Sequence, residues 1–279
     1  MTQATAVPLV ALHDGVEIPQ LGFGVFQVPP EKTQETVEAA LEAGYRHIDT
    51  AAAYRNERGV GAALAASGIP REELFVTTKL WNSQQGYETT LGAFEKSVAR
   101  LGLDYVDLYL IHWPMSSEGR ALDTWRAFEQ IHIDGGSRTI GVSNFRIEDL
   151  EMLEREAEVR PTVNQVELHP HLQQAELREW HAERGIATEA WSPLAQGELL
   201  VNETIARVAA RHDVTLAQAI LRWHLQLGNI VIPKSVTPVR IRENFDLFEL
   251  ELSEEDMTEI AAIDVGQRTG PDPGTFVAP

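Results

Sequence analysis

Four ionisable residues of different chemistry stand where apolar runs of this sequence end: Asp49, Tyr54, Lys79 and His112. Asp49 closes the short run 46–49. Tyr54 follows on the connection to a helix whose Val60 and Leu64 share one face. Lys79 ends LFVTTK in a chain where lysine is scarce, and His112 sits in LYLIHWP. Singly, each has an ordinary explanation: a turn aspartate, a packed tyrosine, a snorkelling lysine, a buried histidine. Together they make a proton-transfer apparatus. A tyrosine titrates near about 10, too high for a good acid at neutral pH. A nearby ammonium at Lys79 favours the phenolate and lowers that value, and Asp49 can hold the lysine. His112 offers a neutral donor to a carbonyl oxygen, so phenol and imidazole converge on developing alkoxide charge. None of these side chains carries a hydride, which must come from a dissociable reductant.

A second constellation lies in IPKSVTPVRIRENF. Pro238 suits the first position of a helix, with Thr237 or Ser235 as its cap. The helix amides, flanked by Lys234, Arg240 and Arg242, form a phosphate-sized anion site; the plain alternative is an ordinary charged helix start. Two other motifs carry less. LGFGVF begins G-x-G but lacks a third glycine and an immediate helix, so it fails as a Rossmann fingerprint and reads as a strand over 21–24. His169 and His171 in HPH have no third metal ligand nearby, so no metal is expected.

The elements that must position these residues alternate. Residues 8–19 predict a hairpin around Asp14 and Gly15. Strands follow over 21–24, 46–49, 74–79, 107–113, 138–143, 163–168, 186–191 and 229–233. Helices intervene near 31–43, 57–67, 87–101, 121–134, 147–157, 175–184 and within 202–227. Eight strands, each followed by a helix, predict a closed parallel (β/α)8 TIM barrel rather than an open sheet. One domain over 1–279 is expected. In such a barrel chemistry gathers at the C-terminal strand ends, here Asp49, Lys79, His112, Ser143 with Asn144, Glu167 and Trp191. A last helix opens with a capping box at Ser253, and an irregular tail runs from Gly266.

Composition narrows the function class. The 279 residues are 43% hydrophobic, with a net charge of −19 and no cysteine. That balance argues against nucleic acid and anionic membrane surfaces as partners. It also leaves no disulfide, thiolate metal site or thiol nucleophile. No run reaches the roughly 20 apolar residues of a membrane helix, and MTQATAVPLV lacks a basic n-region, so a cytoplasmic protein is expected.

GYRHIDTAAAYRNERGVG, LGLDYVDLYLIHWP and IPKSVTPVRIRENF, with KLWN, IGVSNF, VNQVELHP and WSPLAQG, resemble the signatures of the aldo-keto reductases. They span about 22 to 248 and look most like the bacterial group that includes 2,5-diketogluconate reductases. The resemblance implies a monomeric barrel using NADPH without metal to reduce small aldehydes, ketones, α-dicarbonyls or keto-sugars. It implies that Tyr54 is the general acid, tuned by Lys79 and Asp49, with His112 orienting the carbonyl. Ser143, Asn144 and Gln165 would hold the nicotinamide carboxamide, and Trp191 would stack on its ring. Leu194 and Gln196 would lie by the pyrophosphate. Lys234, Ser235 and Arg240 would take the 2′-phosphate, with Asn244 near the adenine. Phe23, Trp81 and Trp113 would line the substrate pocket. PMSSEGRALDTW is short and TGPDPGTFVAP has no clear counterpart, so the natural carbonyl stays open. The alternatives are a cofactor-binding regulatory barrel and a metal-dependent barrel hydrolase; the intact acid set disfavours the first and the lack of clustered ligands the second.

Overall fold

The computed structural model describes residues 7–277. The first six residues, part of the segment read for a secretory signal, and the last two of the tail lie outside the described residues. A hairpin comes first: β1 (Leu9–Ala11) pairs antiparallel with β2 (Glu17–Pro19), Val10 opposite Ile18. Asp14 Oδ1 accepts from Val16 N at 3.0 Å to fix the turn. Leu12 and Ile18 of this hairpin pack with Phe75, Leu108, Leu110, Val163 and Ile230, near the starts of the barrel strands. The hairpin is thus the floor of the barrel.

Eight parallel strands form its wall: β3 (Phe23–Gly24), β4 (His47–Asp49), β5 (Phe75–Leu80), β6 (Val106–Ile111), β7 (Ser137–Ser143), β8 (Val163–Glu167), β9 (Ala187–Trp191) and β10 (Ile230–Val231). The ring closes where Leu21 bridges Val231 in parallel; Gly22 N donates to Val231 O and Val231 N to Gln20 O, both at 2.9 Å. Helices α1 (Pro30–Ala43), α2 (Glu57–Ala66), α3 (Tyr87–Leu101), α4 (Ala121–Ile133), α5 (Ile147–Glu156) and α6 (Ala175–Arg184) connect successive strands. Between β9 and β10 come two, α7 (Glu203–Arg211) and α8 (Leu216–Gln226). After β10 come α9 (Pro238–Phe245) and α10 (Glu254–Ala261). Helix α7, for example, buries an apolar stripe of Ile205, Val208 and Ala209. The expected capping box is present at α10, where Ser253 Oγ accepts from Asp256 N and Asp256 Oδ2 accepts from Ser253 N.

The two-residue period of the strands decides what enters the barrel. His47 and Asp49, Thr77 and Lys79, Gln165 and Glu167, Glu189 and Trp191 share the inner side of their strands. The same rule corrects one expectation. Phe23 stands between Gly22 and Gly24, which face inward; a Cβ on Gly22 would run into the His47 ring. Phe23 therefore points outward into the strand–helix core, its ring 5.3 Å from Tyr45, and does not line a substrate pocket.

Beyond α10 the tail is irregular, as expected, yet it is held across the barrel mouth. Val265 N and Gln267 N donate to His171 O at 3.3 and 3.0 Å. Thr269 N, Thr269 Oγ1 and Gly270 N then converge on Glu167 Oε1 at 2.6, 2.7 and 3.1 Å. Gly270 passes so close to Trp191 that a Cβ there would strike the indole.

Candidate active site

Asp49 ends β4, and a single 3-10 turn (Ala52–Tyr54) carries Tyr54 back over it, where a plain loop was expected. Lys79 rises two residues above Thr77 on β5 and is fully buried. Its ammonium has three protons and three acceptors: Asp49 Oδ1 at 2.6 Å, Thr50 O at 3.0 Å and Tyr54 OH at 3.4 Å. His112 follows β6 directly, its ring 5.6 Å from that of Tyr54 and 5.3 Å from Trp81. Its Nδ1 is buried without a partner, which leaves Nε2 as the ring nitrogen open to the cavity. The four residues read as an acid set do meet at the mouth.

Their electrostatics differ in one respect from the simple expectation. Burial opposes the Lys79 ammonium, but Asp49 in contact outweighs it and holds the lysine charged. Burial, helped by Lys79, pushes His112 well below the usual imidazole value, so its ring is neutral at pH 7. Burial also raises the Tyr54 phenol; Lys79 pulls it down, as expected, without winning.

Next to this set, Asn144 holds a left-handed backbone, φ 63°, just past β7. Its Nδ2 donates to His112 O at 2.9 Å and Ser143 Oγ at 3.1 Å, and its Oδ1 accepts from Trp191 Nε1 at 2.9 Å. Ser143 Oγ in turn donates to Gln165 O at 2.8 Å. Gln165 Nε2 is spent on Asp49 Oδ2 and Glu189 Oε2, both at 2.8 Å. The second lone pair of Asn144 Oδ1 and the unpartnered Gln165 Oε1 are therefore two acceptors side by side, which suits the NH2 of a carboxamide.

The residues expected to meet a phosphate lie at the start of α9. Thr237 is the cap residue but makes no side-chain cap bond; Ser235 Oγ accepts from Thr237 N at 3.1 Å instead. The first-turn amides are thus free for an anion. Lys234 and Arg240 are exposed there and form no ion pair among the described residues, although the chain is strongly acidic. Asn244, one turn beyond Arg240, shares its face, whereas Arg242 is turned roughly 200° away. Leu194 is half-buried, and Gln196 is exposed with Nε2 on Thr269 O at 3.2 Å, so in this structure it ties the tail.

Two aromatic residues escaped the sequence reading. Phe26 lies 5.1 Å from the Tyr54 ring and is half exposed; its signal was that it falls just past the strand end. Phe276 of the tail lies 4.3 Å from Trp113. Nothing in TGPDPGTFVAP foretold which strand end it would reach. The loop after His112 is tied to the start of α5, just past the end of β7, with Ser116 Oγ donating to Asp149 Oδ1 at 2.7 Å.

Comparison with known proteins gives a consistent picture. Residues 20–265 match the family model described as "Aldo/keto reductase family". The chain is 55% identical to the "Glyoxal reductase" of Bacillus subtilis, over 95% of both chains. It is 51% identical to the "Methylglyoxal reductase DkgA" of Yersinia pestis, over 98% of both. Among solved structures, a Gox0644 mutant in complex with NADPH superposes with a TM-score of 0.94 at 46% identity, covering 98% of this chain and 100% of that one.

Proposed function

The chain belongs to the aldo/keto reductase family and is an NADP-dependent oxidoreductase of carbonyl groups; we propose that compact aldehydes and α-dicarbonyls, methylglyoxal among them, are its substrates and that Tyr54 is the proton donor. The observation that carries this reading is the approach of Lys79 Nζ to the Tyr54 hydroxyl, 3.4 Å, beside a neutral His112.

NADPH, when bound, supplies the hydride to the carbonyl carbon. Ser143, Asn144, Gln165 and Trp191 would hold its nicotinamide end, and Lys234, Ser235, Arg240 and Asn244 its adenosine phosphate. The chain's own residues do the rest. His112 Nε2 orients the carbonyl oxygen, and Tyr54 OH gives it a proton as alkoxide charge develops. The third proton of Lys79 then stabilises the phenolate left on Tyr54, while Asp49 keeps the ammonium in place. Trp81, Trp113, Phe26 and Phe276 wall the mouth with rigid rings. They leave room for a small carbonyl and, with the loop after His112 short, give little purchase to a large one. NADPH oxidation measured against a panel of methylglyoxal, glyoxal, aromatic aldehydes, keto-sugars and a steroid ketone tests the substrate reading. Methylglyoxal is expected to exceed the steroid in kcat/KM; the reverse order overturns it.

A further inference from the structure

Below the catalytic set lies a second carboxyl group that the mechanism does not use. Glu189 stands on β9 two residues before Trp191, so it points into the barrel, and it is fully buried. Its Oε2 accepts from Gln165 Nε2 at 2.8 Å, the same nitrogen that donates to Asp49 Oδ2. Its Oε1 is buried with no hydrogen-bond partner. His47 Nε2 is 3.7 Å away and is already 3.1 Å from Thr77 Oγ1. The charged and titratable groups facing Glu189 are Asp49 and His47 from β4, Lys79 from β5 and, farther off, Tyr54 from the 3-10 turn, with Gln165 from β8. On its other side β10 brings only Ile230 and Val231.

Two carboxyl groups therefore share one amide nitrogen and one buried cation. Lys79 is committed to Asp49 at 2.6 Å. An ionised Glu189 would leave Oε1 as a bare buried charge without a donor, a penalty that buried carboxyls relieve by keeping their proton. An imidazolium at His47 does not solve this. Burial, with Lys79 adding to it, outweighs a backbone hydrogen bond to Pro19 and lowers the ring to about 3.

We propose that Glu189 is a protonated carboxylic acid at neutral pH and a positioning residue. It fixes the Gln165 amide with its nitrogen inward and Oε1 toward the mouth, and it leaves Asp49 as the sole carboxylate charge beside Lys79. In agreement, burial, with Asp49 adding to it, pushes the Glu189 carboxyl up to about 8. The role rests on reading Gln165 and Lys79 as parts of the reductase site. As pH rises through about 8, the new charge pulls on the Gln165 amide and on Lys79, and the carboxamide site loosens.

Infrared difference spectra of the cofactor-free protein between about pH 6.5 and 9.5, spanning the raised carboxyl value, test the protonation directly. The carbonyl band of a buried carboxylic acid is expected in the wild type at the lower pH. It should disappear at the higher pH, be absent in Glu189→Gln and persist in His47→Gln. No band in the wild type overturns the proposal whether or not the variants fold; a band kept in Glu189→Gln assigns the proton to Asp49 and overturns it too. For the positioning role, NADPH affinity is followed over the same range by tryptophan fluorescence. The wild type is expected to lose several-fold in affinity at the alkaline end, and Glu189→Gln at least threefold less. Equal profiles reject the positioning role. A missing band leaves the Tyr54 reading intact, and a wild type inactive on every carbonyl leaves the band untouched, so the two failures are distinct.

Discussion

Lys79 Nζ stands 3.4 Å from the Tyr54 hydroxyl and only 2.6 Å from Asp49 Oδ1, so the ammonium is bound tightly to the carboxylate and loosely to the phenol. That inequality suits its task. The tight bond fixes a buried charge, and the long one leaves an interaction that strengthens only as the phenol oxygen gains charge. Interactions that grow toward the transition state are the ones that accelerate a reaction.

Replacing Lys79 by Met removes the cation and strands Asp49 as a buried carboxylate. The expected loss is about 3–5 kcal/mol of stability, the scale for breaking a buried pair from one side. Adding Asp49→Asn should recover part of it. Urea unfolding of both variants checks this. A stability cost in the double variant equal to or above the single one would show that the pair is not coupled.

Arg240 shares the face of α9 with Asn244, and Arg242 does not. Arg240→Ala should weaken NADPH binding by about 10- to 100-fold, since a charge-assisted hydrogen bond contributes roughly 1.5–3 kcal/mol and 1.4 kcal/mol is tenfold. NADH binding and the Arg242→Ala variant should change little. Fluorescence titration with both cofactors decides it, and equal losses for NADPH and NADH would make Arg240 a structural residue.

Acid should destabilise the fold through buried neutral histidines. Burial lowers His47 and His224 to about 3 and His181 to about 4. Their folded values lie below the ordinary one, so the unfolded chain takes up more protons. The stability they contribute is full above about 6.5 and is lost as pH falls toward 3 to 4. These three together give about 4 kcal/mol per pH unit, and His112 acts in the same direction. Urea midpoints at about pH 7 and 5.5, on either side of the unfolded value, should differ clearly; equal midpoints contradict the assignment.

The barrel and its rim were legible because the signals repeat: six of the eight expected strands end at Asp49, Lys79, His112, Ser143, Glu167 or Trp191, which lie at the mouth. Phe23 was misplaced because the alternation set by Gly22 and Gly24 was not applied to so short a strand. Glu189 was passed over for a similar reason. A glutamate inside the apolar run IATEAW, two before Trp191, must face the same way, but only the structure supplies Gln165 and Asp49 from other strands. The tail was beyond reach. Its anchor, Glu167, is about a hundred residues away in sequence, and no local pattern encodes such a contact.

Phe276 should set the upper size of the substrate. Phe276→Ala removes the ring that packs on Trp113. The ratio of kcat/KM for a bulky aromatic aldehyde over methylglyoxal should rise by about tenfold, the usual effect of space in an apolar pocket. An unchanged ratio would place the tail outside the pocket.

The account turns on Tyr54 as the acid. Tyr54→Phe keeps the ring that packs on Phe26 and His112 but deletes the oxygen that Lys79 approaches. The decisive measurement is single-turnover oxidation of prebound NADPH by methylglyoxal in the wild type and in Tyr54→Phe, with NADPH affinity determined alongside. The expected result is a rate at least about 10² lower with NADPH affinity unchanged. A variant that turns over within a few-fold of the wild type would contradict the account.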